Sequence, residues 1–133
     1  MEAGREGGCA VISVGVDLVE IGRIAAAHRR RGDGFLRRLF TEEELAHCLG
    51  KKDPYPSLAA RFAAKEAVAK ALGTGLGGRL TFRSIGVRSG AGGVPRIVLD
   101  AAGERALEEL GGRRVLISLA HCRDHALAQA LIC

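Results

Sequence analysis

At 133 residues, 47% of them hydrophobic, the chain is long enough for one compact domain with a real core. It has no Trp and one Tyr, a poor match to modules that stack bases on aromatic rings, and no apolar run long enough to span a bilayer. A net charge of +5 suits an acidic protein, a phosphorylated ligand or nucleic acid.

Residues 1–9 lack the basic-then-apolar order of a signal peptide and are expected to be a flexible extension ahead of a single domain spanning 10–133. The cysteines Cys9, Cys48, Cys122 and Cys133 are scattered, with no Cys-x-x-Cys pair. Neither a zinc site nor a disulfide framework is expected from them, only small thiols in a cytoplasmic protein. The β-branched run from Ala10 to Val16 reads as a buried strand ending at Asp17. Leu18, Ile21, Ile24 and Ala25 then take up helical spacing. Asp17 can be the N-cap of that helix, with Glu20 in the capping-box place. It can also be an open carboxylate meeting a metal-bound phosphate, and the two roles are compatible.

A basic stretch, His28-Arg29-Arg30-Arg31-Gly32, follows, and Thr41-Glu42-Glu43-Glu44 has the capping-box order for a short helix through Leu49. The arginines read either as a solvated face or as a docking surface for an acidic protein. After the linker Lys51–Pro56, the alanine-rich stretch from Ser57 predicts a long helix closed by Gly73 in the left-handed conformation. Leu58, Phe62, Lys65, Ala69 and Leu72 put one stripe of it toward a core. Glu66 and Lys70, four apart, read as a surface ion pair or as a carboxylate and an ammonium at the rim of a site.

Gly73, Gly75 and Gly78 formally match G-x-G-x-x-G, but they close a helix instead of opening one, so a dinucleotide fingerprint is rejected. Glycine-rich backbone there can still approach a diphosphate closely. Beyond it come strands over Phe82–Arg88 and Pro95–Leu99, a helix capped by Asp100, and a hairpin of Val115–Leu119 and Ala126–Ile132. The expected class is α+β, an antiparallel sheet packed on a long central helix.

Gly15-Val16-Asp17-Leu18-Val19-Glu20-Ile21-Gly22-Arg23-Ile24, and Arg61-Phe62-Ala63-Ala64-Lys65-Glu66-Ala67 running on to Lys70, together resemble the two motifs of the 4′-phosphopantetheinyl transferases. The likeness is closest to the short bacterial holo-acyl-carrier-protein synthases. Ser118-Leu119-Ala120-His121 stands where that group has its Ser-x-x-His strand. The resemblance implies transfer of phosphopantetheine from coenzyme A to a serine of an apo acyl carrier protein, releasing adenosine 3′,5′-bisphosphate.

By the same resemblance, Asp17 and Glu66 match magnesium-binding carboxylates, a donor set suited to a hard cation that completes its shell with water and phosphate oxygens. Lys70 corresponds to a lysine for the diphosphate or the developing charge. Arg61 and Lys65 are expected at coenzyme A phosphates or in a salt bridge, Gly73 and Gly75 beside the cofactor, and His121 at its nucleotide phosphate. Cys122 follows that histidine where relatives often carry a hydroxyl. Arg23 matches a first-helix arginine used against the carrier protein, and the short members form homotrimers. Competing expectations are the same chemistry on polyketide or peptide-synthesis carriers, and a non-catalytic basic module for nucleic acid. The first reading implies no nucleic-acid and no membrane partner.

Overall fold

A computed structural model describes residues 9–133, so the expected extension lies outside the described residues except for Cys9. The order is β1 (Ser13–Glu20), α1 (Ile21–Arg31), α2 (Asp33–Leu39), α3 (Glu42–Leu49) and α4 (Tyr55–Leu72). A single 3-10 turn then leads to β2 (Ile85–Ser89), β3 (Pro95–Leu99), α5 (Ala101–Leu110), β4 (Val115–His121) and β5 (His125–Ile132). Strands β1, β5 and β4 form an antiparallel sheet in that order, and β2 and β3 form a separate antiparallel ribbon. This is the α+β architecture anticipated, with the sheet laid on α4.

Small residues bring sheet and helix together. Ala126, Ala128 and Ala130 of β5 are wholly buried against α4, whose own Ala59, Ala63, Ala64 and Ala67 are equally buried. At Gly15 a Cβ would stand 2.1 Å from the Ala67 carbonyl oxygen, so only glycine admits this approach. The Ser13 hydroxyl donates to the Ala71 carbonyl at 2.6 Å along the same seam. A helix sheathed this way is buried nearly all round, and the single buried stripe expected for it widens to include Ala60, Val68 and Ala71.

Two local expectations fail for nonlocal reasons. The first strand does not stop at Asp17. It pairs with β5 as far as Glu20 opposite His125, and α1 starts at Ile21 with no side-chain cap. Three more residues of ladder displace the cap, leaving the Asp17 carboxylate free for other use. Similarly, Cys9 and Cys133 are not thiols but a disulfide with Cα atoms 5.1 Å apart. Antiparallel pairing sets Ser13 opposite Ile132, and the Ile12 amide donates to the Ile132 carbonyl, so the two chain ends meet. Cys48 is the buried thiol expected, while Cys122 is exposed.

Candidate active site

Alternation along β1 decides where Asp17 points. Gly15 and Val19 are buried on the α4 side, and Asp17 lies between them on that face. There its carboxylate Oδ1 accepts from the Lys70 ammonium at 3.0 Å, and the same ammonium donates to the Val16 carbonyl at 2.9 Å. Lys70 thus pairs across to the strand, not back along its own helix to Glu66. Glu66 is close enough to feel both groups. Burial first, and then the Asp17 charge, push its carboxyl above the usual range, while Lys70 pulls the other way. Asp17, distant in sequence from Glu66 and Lys70, meets that pair, four residues apart on α4, at the seam with β1.

Asp17 and Glu66 thus present two carboxylates near one another, with Lys70 already paired to the first. Among the described residues no set of three or more His, Cys, Asp or Glu side chains gathers around a possible metal. A pair of carboxylates on rigid elements, with room for water and phosphate oxygens, is the donor set Mg²⁺ prefers, whereas zinc would call for a closed cage. The residues present therefore fit the ion.

Of the two alternatives open for Lys65, next to Glu66, the structure shows the salt bridge. Its side chain is wholly buried, and its ammonium donates to Glu44 at 2.8 Å and to the carbonyls of Phe82 at 2.9 Å and Ile85 at 2.7 Å. Three donors are thereby satisfied, leaving none for a coenzyme A phosphate. Burial drags its pKa below the ordinary lysine range against the pull of Glu44. Glu44 does double duty. Its Oε1 closes the capping box on the Thr41 amide at 2.8 Å, and its Oε2 accepts from the Val87 amide at 2.7 Å. The capping box was legible in the sequence, but the buried pair it feeds was not.

Arg61 is also buried. It donates to the Ser57 hydroxyl at 2.8 Å and the Ser89 hydroxyl at 3.3 Å, and its Nε has no partner. It lines a groove of about 340 Å³ with Lys51 and His121, the histidine standing exposed at the end of β4. A second groove of about 480 Å³, reaching His47 and Ser89, shares Arg61 with the first. Arg61, Lys51 and His121 give the first groove a cationic lining suited to an anion.

The glycines after α4 behave otherwise than as a diphosphate cradle. Gly73 takes the left-handed conformation (φ 77°), and its amide donates to the Lys70 carbonyl. The amides of Thr74 and Gly75 both turn back to Ala69 at 3.2 and 3.4 Å. Their donors end the helix, so what Gly73 and Gly75 offer a ligand is the absence of side chains. Arg23 stands on the exposed face of α1, opposite the buried Ile21, Ile24 and Ala25.

The α+β fold brings Asp17, Glu66 and Lys70 to the seam of β1 and α4, and lines a groove with Arg61 and His121. Residues 13–130 match the model of the 4′-phosphopantetheinyl transferase superfamily, and the chain belongs to that family. It is 47% identical over 121 residues to the holo-[acyl-carrier-protein] synthase of Chlamydia trachomatis serovar L2, covering 91% of this chain and 98% of that one. With the Chlorobaculum parvum synthase it shares 44%, over 91% and 97% of the two chains. Among solved structures, the Neisseria meningitidis synthase superposes with a TM-score of 0.85 at 38% identity, over 92% and 98% of the chains. The Helicobacter pylori synthase, solved in complex with coenzyme A, superposes with a TM-score of 0.80 at 29% identity, over 90% and 99%.

Proposed function

We propose that this chain transfers 4′-phosphopantetheine from coenzyme A to a serine hydroxyl of an apo acyl carrier protein, with adenosine 3′,5′-bisphosphate as the other product. The convergence of Asp17, Glu66 and Lys70 is the observation that carries this reading. The synthases to which the chain is similar supply the reaction. In the transfer, the serine oxygen forms a bond to the phosphorus bearing the pantetheine, the bond from that phosphorus to the adenosine bisphosphate oxygen breaks, and the serine proton leaves to a base.

Asp17 and Glu66 would hold Mg²⁺, which when bound neutralises charge on the diphosphate and on the departing bisphosphate. Glu66 takes the serine proton directly or through a water it orients. Lys70, which donates to Asp17, would meet negative charge developing on the phosphoryl oxygens. Arg61 and His121, sharing a groove, bind the nucleotide phosphates. Arg23, on the open face of α1, meets the acidic carrier.

The family likeness implies a homotrimer, and what supports assembly is the outer face of the main sheet, where Val14, Val16 and Leu18 of β1 are 58%, 53% and 61% exposed, beside Leu127 and Leu116. An apolar face of this kind is what another copy would cover. Sedimentation at micromolar concentration should give three copies, and a monomer would remove that part. No described helix is long and apolar enough to cross a membrane. The reading places the protein in the cytoplasm, where the Cys9–Cys133 bond is open to reduction. The test of the activity is intact mass. Incubated with coenzyme A, Mg²⁺ and an apo carrier, the protein should raise the carrier's mass by one phosphopantetheine. Asp17→Ala and Glu66→Ala should each slow this at least about a hundredfold, roughly 3 kcal/mol. An unmodified carrier, or near-normal rates in either variant, would overturn the assignment.

A further inference from the structure

One polar row lies outside the machinery described so far. His28, in the last turn of α1, has Nδ1 2.8 Å from the Tyr55 hydroxyl and Nε2 2.8 Å from Asp33 Oδ1. Asp33 opens α2 and Tyr55 opens α4, so one imidazole ties the ends of three helices. A carboxylate only accepts, so Nε2 carries the proton given to Asp33. In the neutral ring Nδ1 then accepts from the tyrosine hydroxyl. Asp33 is largely exposed and His28 one-fifth exposed, too open for the row to weigh heavily in stability. Its effect is on geometry.

That geometry concerns Arg29. The Arg29 guanidinium lies over the Tyr55 ring, 5.5 Å from its centroid, so the ring that His28 holds is the platform for the neighbouring arginine. The Tyr55 amide is itself tied to Asp53 Oδ1 at 3.2 Å. Directly after Arg31 the chain reverses at Gly32, with φ 79° and ψ −170°, a conformation essentially reserved for glycine. The side-chain row joins the backbone bonds from the Gly32 amide to the His28 carbonyl and from the Phe35 amide to the Gly32 carbonyl in fixing this corner. Arg29 faces a groove of about 870 Å³ between α1 and the β4–β5 turn, where it is joined by Arg23, Arg123 and His125, with Asp53 and Asp124 among the lining acids.

We propose that the Tyr55–His28–Asp33 row is a positioning device that holds the end of α1 and pre-sets Arg29 for an acidic carrier surface. This rests on the carrier reading of α1 given above. His28 and Tyr55 need not touch the carrier. They spare Arg29 the ordering it would otherwise undergo on binding.

The test is steady-state kinetics on the full chain with coenzyme A, Mg²⁺ and an apo acyl carrier protein. His28→Ala should raise KM for the carrier about three- to tenfold, leaving kcat and KM for coenzyme A unchanged. Tyr55→Phe, which keeps the ring and loses only the hydroxyl, should give a smaller rise of the same kind and guards against misfolding of the first variant. Arg29→Ala should raise the carrier KM, and His28→Ala/Arg29→Ala should be no worse than the worse single variant, because both act through one guanidinium. Multiplying losses in the double variant, an unchanged carrier KM in His28→Ala, or a joint rise in both KM values would overturn the positioning role. If wild-type protein leaves the carrier unmodified, it is the transferase reading that fails, so the two failures are distinct.

Discussion

Replacing Lys65 by Met tests the buried pair most sharply. The substitution keeps the volume and the helix propensity of the position but strips an ammonium from Glu44 and from the carbonyls of Phe82 and Ile85. Glu44, only 1% exposed, keeps its bonds to the Thr41 and Val87 amides and becomes an uncompensated buried carboxylate. Removing one partner of such a pair costs about 3–5 kcal/mol. A domain of this size has about 5–15 kcal/mol in all. Urea unfolding followed by far-UV circular dichroism should show that loss at an unchanged m-value, with a melting temperature about 10–20 °C lower. Glu44→Gln/Lys65→Met should recover part of it, since the stranded charge is gone. A loss under about 1 kcal/mol together with a raised KM for coenzyme A would refute the reasoning and return Lys65 to the cofactor.

Two further outcomes follow from packing and charge. Gly15→Ala places a Cβ against the backbone of Ala67 and Ala71, neither of which can rotate away, so it should cost about 3 kcal/mol or more in the same unfolding assay. A near-neutral effect would mean that β1 does not lie on α4 as described. Glu66→Gln addresses the raised carboxyl in EDTA-treated protein. Between the ordinary glutamate value of 4.5 and the raised folded value, the folded state binds more protons than the unfolded one, so stability falls as pH rises through that window. The variant should therefore melt above wild type at neutral pH, with the gap closing as the pH falls toward 4.5. A gap independent of pH would show that the carboxylate is not under strain from burial and Asp17.

What the sequence disclosed was mostly local. The Thr41–Glu44 capping box, the Gly73 helix end and the Asp100 cap are set by residues within a few positions of one another, and each is found as anticipated. Misreadings came where a distant partner outbid a local preference. Asp17 had every mark of an N-cap, but pairing with β5, more than a hundred residues away, carried the strand past it. Lys65 was correctly placed on a buried stripe, and only the nonlocal approach of Glu44 explains how a charge survives there. Cys9 and Cys133, 124 residues apart, show no spacing that could announce their bond. The Tyr55–His28–Asp33 row was hidden for the same reason, because Tyr55 lies more than twenty residues from His28 and Asp33 and only the packing of three helices brings them together.

The central claim is that Asp17 and Glu66 form one cation site that grips coenzyme A by its diphosphate. Calorimetric titration of coenzyme A into the protein, with Mg²⁺ and with EDTA, examines that claim without any carrier present. The account predicts binding at least about tenfold tighter with Mg²⁺, equivalent to about 1.4 kcal/mol, and loss of that advantage in both Asp17→Ala and Glu66→Ala. Equal affinity in the two buffers, or a magnesium effect that survives either substitution, would contradict it.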